Sequence, residues 1–356
     1  MEIDTSLIEE AQEKEKLEKL EEEFGYARFR EDFGKIPRGT VLTKARTVWG
    51  FPHIHRIFTL EAGVARNIKD DEVYVEEKID GFNLRVALVE GKIFAFSRGG
   101  FIDAFATEKV REMGLEGFFK EFPDYVLCGE MIGNTPYTDP TDKFDVKLFV
   151  FDIDDGTGNY LPCSKMFELL KEYKIQSVPL VAKCKKNDTK KLREIVLSLN
   201  KAGKEGMVIK AADRKTLVKY VTPAADVEDI ASCAKLIFDM PAGFFHQRVV
   251  RSAFFLKDFA LDRGEYGARL GKAFYDGLLA GLKELEEGRG IENEFEITVN
   301  DEKIWERIRK HMSSDVRLSV LFKRKEGEKT RIRFLKTYKK STKKLGSWMK
   351  GTAITD

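Results

Sequence analysis

The sequence predicts an α+β fold built largely from antiparallel sheet. Short β-rich runs between residues 73 and 97 are punctuated by Asp80-Gly81 and Glu90-Gly91 turns. Helical and strand-like segments then follow in mixed order to residue 221, and a mainly helical pattern begins near residue 226. The 356 residues allow two to three domains. With 42% apolar and 34% charged residues, the chain has enough apolar surface for sizeable cores, which excludes disorder. Apolar runs such as Phe149-Val150-Phe151 are far shorter than a membrane span, and the N-terminus is charged rather than a cleavable apolar leader. The expected setting is cytoplasmic, with no membrane.

Taken in order, residues 5–24 read as a helix capped by Thr5 or Ser6, with Leu7, Ala11, Leu17, Leu20 and Phe24 as a loose apolar stripe. Residues 54–60 read as a strand. Strands are expected at 73–77, 83–89, 92–97, 125–131, 147–153, 206–210 and 216–221, and helices at 107–121, 163–174 and 188–202. Residues 226–239 and 244–286 look helical, with interruptions at Gly264 and Gly267. A strand over 294–299 and a helix over 301–312 follow, then a hairpin pairing 316–323 with 330–337 across Glu326-Gly327.

Net charge is only +2, but its distribution is uneven. Residues 1–24 carry ten acids and three lysines; residues 321–356 carry twelve Lys/Arg and three acids. The basic end is expected to face a polyanion, with Lys336–Lys344, Tyr338 and Trp348 as a candidate RNA-tracking segment. The four cysteines form no CxxC pair, so they read as small buried hydrophobes. Three Gln and eight Asn beside abundant Lys and Glu point to a heat-adapted source.

The chemistry-bearing stretch is Glu76-Glu77-Lys78-Ile79-Asp80-Gly81-Phe82-Asn83-Leu84-Arg85. A lysine at the end of an apolar strand, presented by an Asp-Gly turn, can act as a nucleophile once deprotonated. In order there follow Ser97-Arg98-Gly99-Gly100, Cys128-Gly129-Glu130, Leu148 to Ile153, Glu205-Gly206-Met207-Val208-Ile209-Lys210 and Leu217-Val218-Lys219-Tyr220. Across residues 70–222 this set resembles the covalent nucleotidyltransferases, which comprise ATP-dependent DNA and RNA ligases and mRNA capping enzymes. Asn83 in the first motif, and the whole Glu76–Asn83 stretch, is similar to the homodimeric ATP-dependent RNA ligases of archaea and other thermophiles. No Arg-x-Asp-Lys type motif follows the core, and the helical 226–286 stretch argues against an OB barrel there.

The resemblance implies an ATP-grasp-like ligase core of antiparallel sheets flanked by helices, between a small N-terminal module and a mainly helical C-terminal region ending in a small α+β unit. The expected boundaries are 1–64 for the module, 65–225 for the adenylation domain, 226–290 for a helical dimerisation domain and 291–356 for the α+β unit with its basic tail. It further implies that Lys78 takes AMP from ATP, with Lys210 and Lys219 neutralising phosphate charge. Glu130 would hold the ribose hydroxyls, Phe151 would stack on adenine, Arg98 would reach the ribose or a phosphate, and Glu76 would read the adenine amino group. Asn83 would shape the pocket, and Glu205 would be the carboxylate associated with Mg2+ or Mn2+. Lys215 is a substitute for a second lysine beside Lys219. The implied partners are single-stranded RNA with 5′-phosphate and 3′-hydroxyl ends and a second copy of the chain. The competing readings are a DNA ligase or GTP-using capping enzyme, and a non-catalytic RNA-binding protein on a degenerate core.

Overall fold

The computed structural model describes residues 3–353 except 139, 142, 313 and 315. It opens with α1 (Thr5–Glu13), capped by Asp4, whose carboxylate accepts from the Ser6 N–H. The expected helix over 5–24 ends there. Glu15 takes a left-handed φ of 55°, and the remainder pairs as a hairpin of β1 (Leu17–Glu21) with β2 (Gly25–Phe29). β3 (Val41–Leu42) and β4 (Thr47–Val48) complete this four-stranded sheet. The expected strand at 54–60 shrinks to β5 (His55–Arg56), because Leu60 begins α2 (Leu60–Asn67) and buries in the core.

The central region runs β6 (Glu72–Lys78), β7 (Phe82–Val89), β8 (Lys92–Ser97), α3 (Ala104–Arg111), α4 (Glu116–Glu121), β9 (Val126–Gly133) and β10 (Val146–Asp154). It continues with α5 (Cys163–Glu172), β11 (Leu180–Lys185), α6 (Thr189–Lys201), β12 (Gly206–Ala211) and β13 (Leu217–Val221). The single helix expected over 107–121 is therefore two, and β11 was not anticipated. The strands form two sheets, ordered β10-β9-β7-β8 and β11-β6-β12-β13-β5. All pairings in them are antiparallel except β13 with β5. One face of the first sheet buries Leu84, Val86, Leu127, Met131 and Val150 against Phe105 and Phe118. The second buries Val73, Val75, Ile209 and Val218 against Leu192 and Val196 of α6. Each such side chain stabilises the fold by roughly 1.5–3 kcal/mol.

Arg85 on β7 is fully buried and donates to the Gly39, Trp49 and Ser97 carbonyls at 2.9, 2.6 and 2.8 Å. It thereby ties the N-terminal strands to the first central sheet through charge-assisted bonds.

Beyond the core come α7 (Pro223–Cys233), α8 (Phe244–Phe259) and α9 (Arg263–Glu286). The break between the last two falls at left-handed Ala260 rather than at Gly264 or Gly267, which lie within α9. β14 (Glu292–Val299), α10 (Glu302–Met312), β15 (Val316–Glu326) and β16 (Lys329–Tyr338) then form a sheet ordered β14-β16-β15. Its Phe295, Ile297 and Phe334 join the same apolar cluster as Leu84 and Met131. The expected basic tail is a helix, α11 (Lys339–Met349). Lys336 is buried, reaching the Pro136 carbonyl and the Phe295 ring, while Lys339, Lys340, Lys343 and Lys344 are exposed. Among the described residues no helix is long and apolar enough to cross a membrane. All four cysteines are free, Cys128 and Cys163 buried.

Candidate active site

Lys78 is the last residue of β6, and β7 belongs to the other central sheet. The turn Ile79-Asp80-Gly81 is thus where the chain crosses between sheets. Gly81 packs onto β9 so closely that a Cβ would lie 2.6 Å from the Met131 carbonyl oxygen. The sequence therefore fixes Lys78 at the junction of the two sheets, where a cleft of about 670 Å3, counting its open mouth, lies between them. That size suits a nucleotide.

Eight of the nine residues singled out by sequence line this cleft: Glu76, Lys78, Asn83, Arg98, Glu130, Phe151, Lys210 and Lys219. The ninth, Glu205, holds Lys78, its Oε2 standing 2.6 Å from Nζ in a largely buried ion pair. Glu205 precedes Gly206, which starts β12 with φ of 150°; a Cβ there would lie 2.1 Å from the Tyr220 carbonyl oxygen. Only glycine lets β12 and β13 approach this closely. Lys215 does not line the cleft; it is exposed and pairs with Asp213.

The two ends of the cleft differ. One is apolar, with Phe51, Phe151, Val178 and Val208. Phe51 meets Phe151 edge-on at 5.1 Å between centroids. Even alternation would put Phe149, Phe151 and Ile153 on one strand face. Instead β10 bulges: Val150 opposes Gly129 and Asp152 opposes the next residue, Cys128, leaving Phe151 as the extra residue. Ile153 consequently packs with Leu148 and Val150, while Phe151 packs toward the other face of the sheet.

Beneath this end lies a buried ion cluster. Lys210 Nζ is 2.8 Å from Glu76 Oε2 and 3.1 Å from Asp152 Oδ1, and Arg214 grips Asp152 through two 2.6 Å bonds. Burial pushes Glu76 up to about 7, with Lys210 opposing it. Burial acts on Asp152 in the same direction, but Arg214 and Lys210 outweigh it and hold Asp152 below its ordinary value. Two acceptors facing this region, Glu76 Oε1 and Asn83 Oδ1, are buried without a hydrogen-bond partner. Such orphans are costly unless a ligand donates to them. They fit the amino and hydroxyl groups of a nucleoside.

Asn83 Nδ2 lies 3.5 Å from Glu130 Oε2, and burial raises Glu130 to about 7. The other end of the cleft is cationic. Burial, then the charges of Arg56, Lys78 and Arg98, lower Lys219 to about 8. Lys219 is therefore protonated below that pH and loses its charge above it. In Lys78→Ala protein no covalent step intervenes and the repulsion from Lys78 is gone, so ATP affinity should weaken as pH rises through a Lys219 value shifted upward from about 8. Titration calorimetry across pH 7.5–9.5 should show this alkaline loss of affinity in Lys78→Ala and not in Lys78→Ala/Lys219→Met.

Sequence reasoning missed Asp152, Arg214, Phe51 and Ile54. Asp152 carried one signal, a carboxylate inside an apolar strand; Phe51 comes from a segment with no regular pattern, and Ile54 was read only as the start of a strand. Among the described residues, no group of three or more His, Cys, Asp or Glu is arranged to hold a metal. Mg2+ takes few protein carboxylates and keeps waters or substrate phosphates, so its use does not require such a group.

Comparison with known proteins matches residues 71–221 to the RNA ligase family model and residues 232–352 to the ligase Pab1020 C-terminal region. A solved structure named as a candidate ATP-dependent DNA ligase, from Aquifex aeolicus, is 30% identical, with TM-score 0.93 over 99% of this chain and 100% of that one. An archaeal ATP-dependent RNA ligase is 27% identical, with TM-score 0.90 over 99% and 97% of the two chains. An uncharacterised protein of Methanocaldococcus jannaschii is 29% identical over 346 residues, spanning 91% of this chain and 87% of its own.

Proposed function

The chain belongs to the ATP-dependent RNA ligase family, and from that membership we propose that it joins RNA 5′-phosphate and 3′-hydroxyl ends through AMP carried on Lys78. The observation that carries this reading is the cleft that gathers Lys78, Lys210, Lys219 and Glu130 around one nucleotide-sized space with an aromatic end. ATP is the energy source. Lys78 forms a P–N bond to the α-phosphorus as the P–O bond to pyrophosphate breaks, and the amine gives up a proton. An RNA 5′-phosphate oxygen then displaces Lys78, and a 3′-hydroxyl finally displaces AMP. Phosphoryl transfer of this kind depends on positioning and charge neutralisation.

Phe151 and Phe51 would clamp the base, and Glu76 and Asn83 would accept from it and from the ribose, with Glu130 beside them. Lys210, held by Glu76 and Asp152, would contact the α-phosphate. A divalent cation held at Glu205, Mg2+ or Mn2+, would neutralise phosphate charge.

The domain boundaries 1–64, 65–225, 226–290 and 291–356 stand as part of this proposal, as does a homodimer through the helical region. The exposed apolar side chains Val249, Val250 and Phe254 of α8 and Tyr275 and Leu279 of α9 support the latter. The exposed lysines of α11 support the reading that this helix tracks an RNA backbone.

The test uses single-stranded oligonucleotides with 5′-phosphates, ATP and Mg2+. RNA should be joined or circularised with AMP released, and GTP should not replace ATP. Joining of DNA at the same rate as RNA would refute the RNA preference and favour the activity named for the Aquifex protein. No joining of either would refute the ligase reading.

A further inference from the structure

The C-terminal sheet has one face on the core and one turned away from it. On β16, Ile332 and Phe334 are buried in the apolar cluster, so Arg331 and Arg333 leave by the other face. β14 meets these two arginines with acids: Glu296 stands 2.6 Å from Arg331, and Glu294 pairs with Arg333. β15, the edge strand on the other side, brings one acid at its very end, Glu326, and otherwise cations.

Register decides which β15 side chains share the outward face. Arg317 lies opposite Thr337, Phe322 opposite Arg333 and Arg324 opposite Arg331. The pairing slips between Val320 and Phe322, leaving Leu321 as the extra residue of a bulge. Without it, alternation from Arg317 would send Phe322 and Arg324 to the covered face. Phe322 is 37% exposed; Arg317, Arg324 and Lys325 are exposed and make no ion pair among the described residues. Arg324 directly faces Arg331, and like charges so placed repel. At the start of β15, Arg317 also lines a groove against α10 with Arg309, Lys310 and Lys339, where Glu306 is the acid among the described residues.

An open edge strand of eleven residues can take up a second chain or a ligand. Charge decides between them. Residues 316–350 hold thirteen Lys/Arg and two acids, so pairing β15 with its own copy would set Lys323, Arg324 and Lys325 against the same cations. A polyanion is favoured by the same count. The exposed ring between arginines then selects a polyanion with bases, because bases stack on aromatic and guanidinium planes while phosphates take the charge.

We propose that the outward face of β15, with Phe322 at its centre and Arg317 and Arg324 to either side, is a platform for single-stranded RNA. One base stacks on Phe322, and the arginines take backbone phosphates before and after it. The choice of RNA rests on the ligase reading above. From Arg317 to Arg324 the extended strand spans roughly 20 Å, the reach of a few nucleotides. The groove beside α10 continues from Arg317 to Lys339, and so joins this face to the exposed lysines of α11. None of these residues lines the cleft around Lys78. RNA held here therefore adds affinity along the strand without reading its sequence and without touching the reacting ends.

The experiment uses full-length protein and an unstructured oligoribonucleotide of about 20 nucleotides whose 5′-hydroxyl cannot be adenylated. Fluorescence anisotropy gives Kd at several salt concentrations for wild type, Phe322→Ala, Phe322→Trp and Arg317→Ala/Arg324→Ala. Phe322→Ala should weaken binding by roughly five- to a hundredfold and leave the salt dependence as it is. Phe322→Trp should bind at least as tightly as wild type. The arginine pair should make the slope of log K against log salt shallower by about 1.4, the release expected for two single-strand phosphates. RNA carrying 4-thiouridine should cross-link to the wild-type peptide that holds Phe322. Unchanged affinity and slope in these variants, or cross-links confined to other peptides, would overturn the platform. So would a loss in Phe322→Ala that Phe322→Trp does not recover, since that marks a packing defect. A change of oligomeric state in the arginine variant, read by light scattering, would show that this face meets a second copy and overturn it as well. A wild type that binds RNA here and never joins 5′-phosphorylated ends would sink the ligase reading alone. One that joins them while its variants bind unchanged would sink the platform alone.

Discussion

Lys78→Ala protein incubated with α-labelled ATP and Mg2+ should carry no label on a denaturing gel, and overall sealing should fall by roughly four orders of magnitude or more. A covalent route has no substitute for its nucleophile, and the other lysines of the cleft are committed elsewhere. Lys210 is buried between Glu76 and Asp152, and Lys219 rises from β13 among Arg56 and Arg98. Arginine at 78 should be as inactive as alanine, because a guanidinium keeps its charge and offers no lone pair. The same variants should still join RNA that has been adenylated beforehand, since that step uses AMP as leaving group and no lysine attack. Label retained in Lys78→Ala would show that another residue carries AMP. Failure of both variants on adenylated RNA would show that Lys78 has a further role in the final step. The 2.6 Å pair with Glu205 adds a constraint on the wild type: an ammonium has no lone pair, so Lys78 must give up a proton before adenylylation.

The site was far more legible in the sequence than the outer parts of the fold. Lys78, Glu130, Lys210 and Lys219 each stand on a short β-rich run, with an Asp-Gly turn after Lys78 and a Glu-Gly start before Lys210. Such runs and turns are local signals, so these positions could be read without knowing what packs where. Residues 15–24 were misread for the opposite reason. Leu17, Leu20 and Phe24 are spaced as a helix stripe among good helix formers, yet the hairpin with residues 25–29 wins through pairing that no local pattern announces. The bulge at Phe151 is also invisible locally: nothing in Phe149 to Ile153 says that β9 advances one residue while β10 advances two. Arg85, Arg214 and Arg56 were passed over because a charged side chain reads as surface until the fold shows what surrounds it.

Asp152→Asn should be the most destabilising single change near the cleft, costing about 3–5 kcal/mol and lowering the melting temperature by roughly 5–15 °C. Asparagine keeps the shape of the side chain but withdraws the charge, leaving Arg214 and Lys210 buried with Glu76 as their only carboxylate. The pH dependence has a definite sign. Burial raises the Asp152 carboxyl, but Arg214 and Lys210 dominate and its folded value is depressed. Its contribution is therefore complete above the ordinary carboxylate range and is lost as pH falls toward the depressed value. Wild type and variant should converge in stability in strong acid and diverge most near neutrality, which denaturant melts at several pH values would show. Removing the partner as well should restore much of the loss: Asp152→Asn/Arg214→Met leaves the neutral Lys210–Glu76 pair, so the double change should cost clearly less than the two single changes added together. Additive costs would mean that the bidentate contact is not what this network depends on. Lys210 would then owe its position to Glu76 and the Phe151 carbonyl alone.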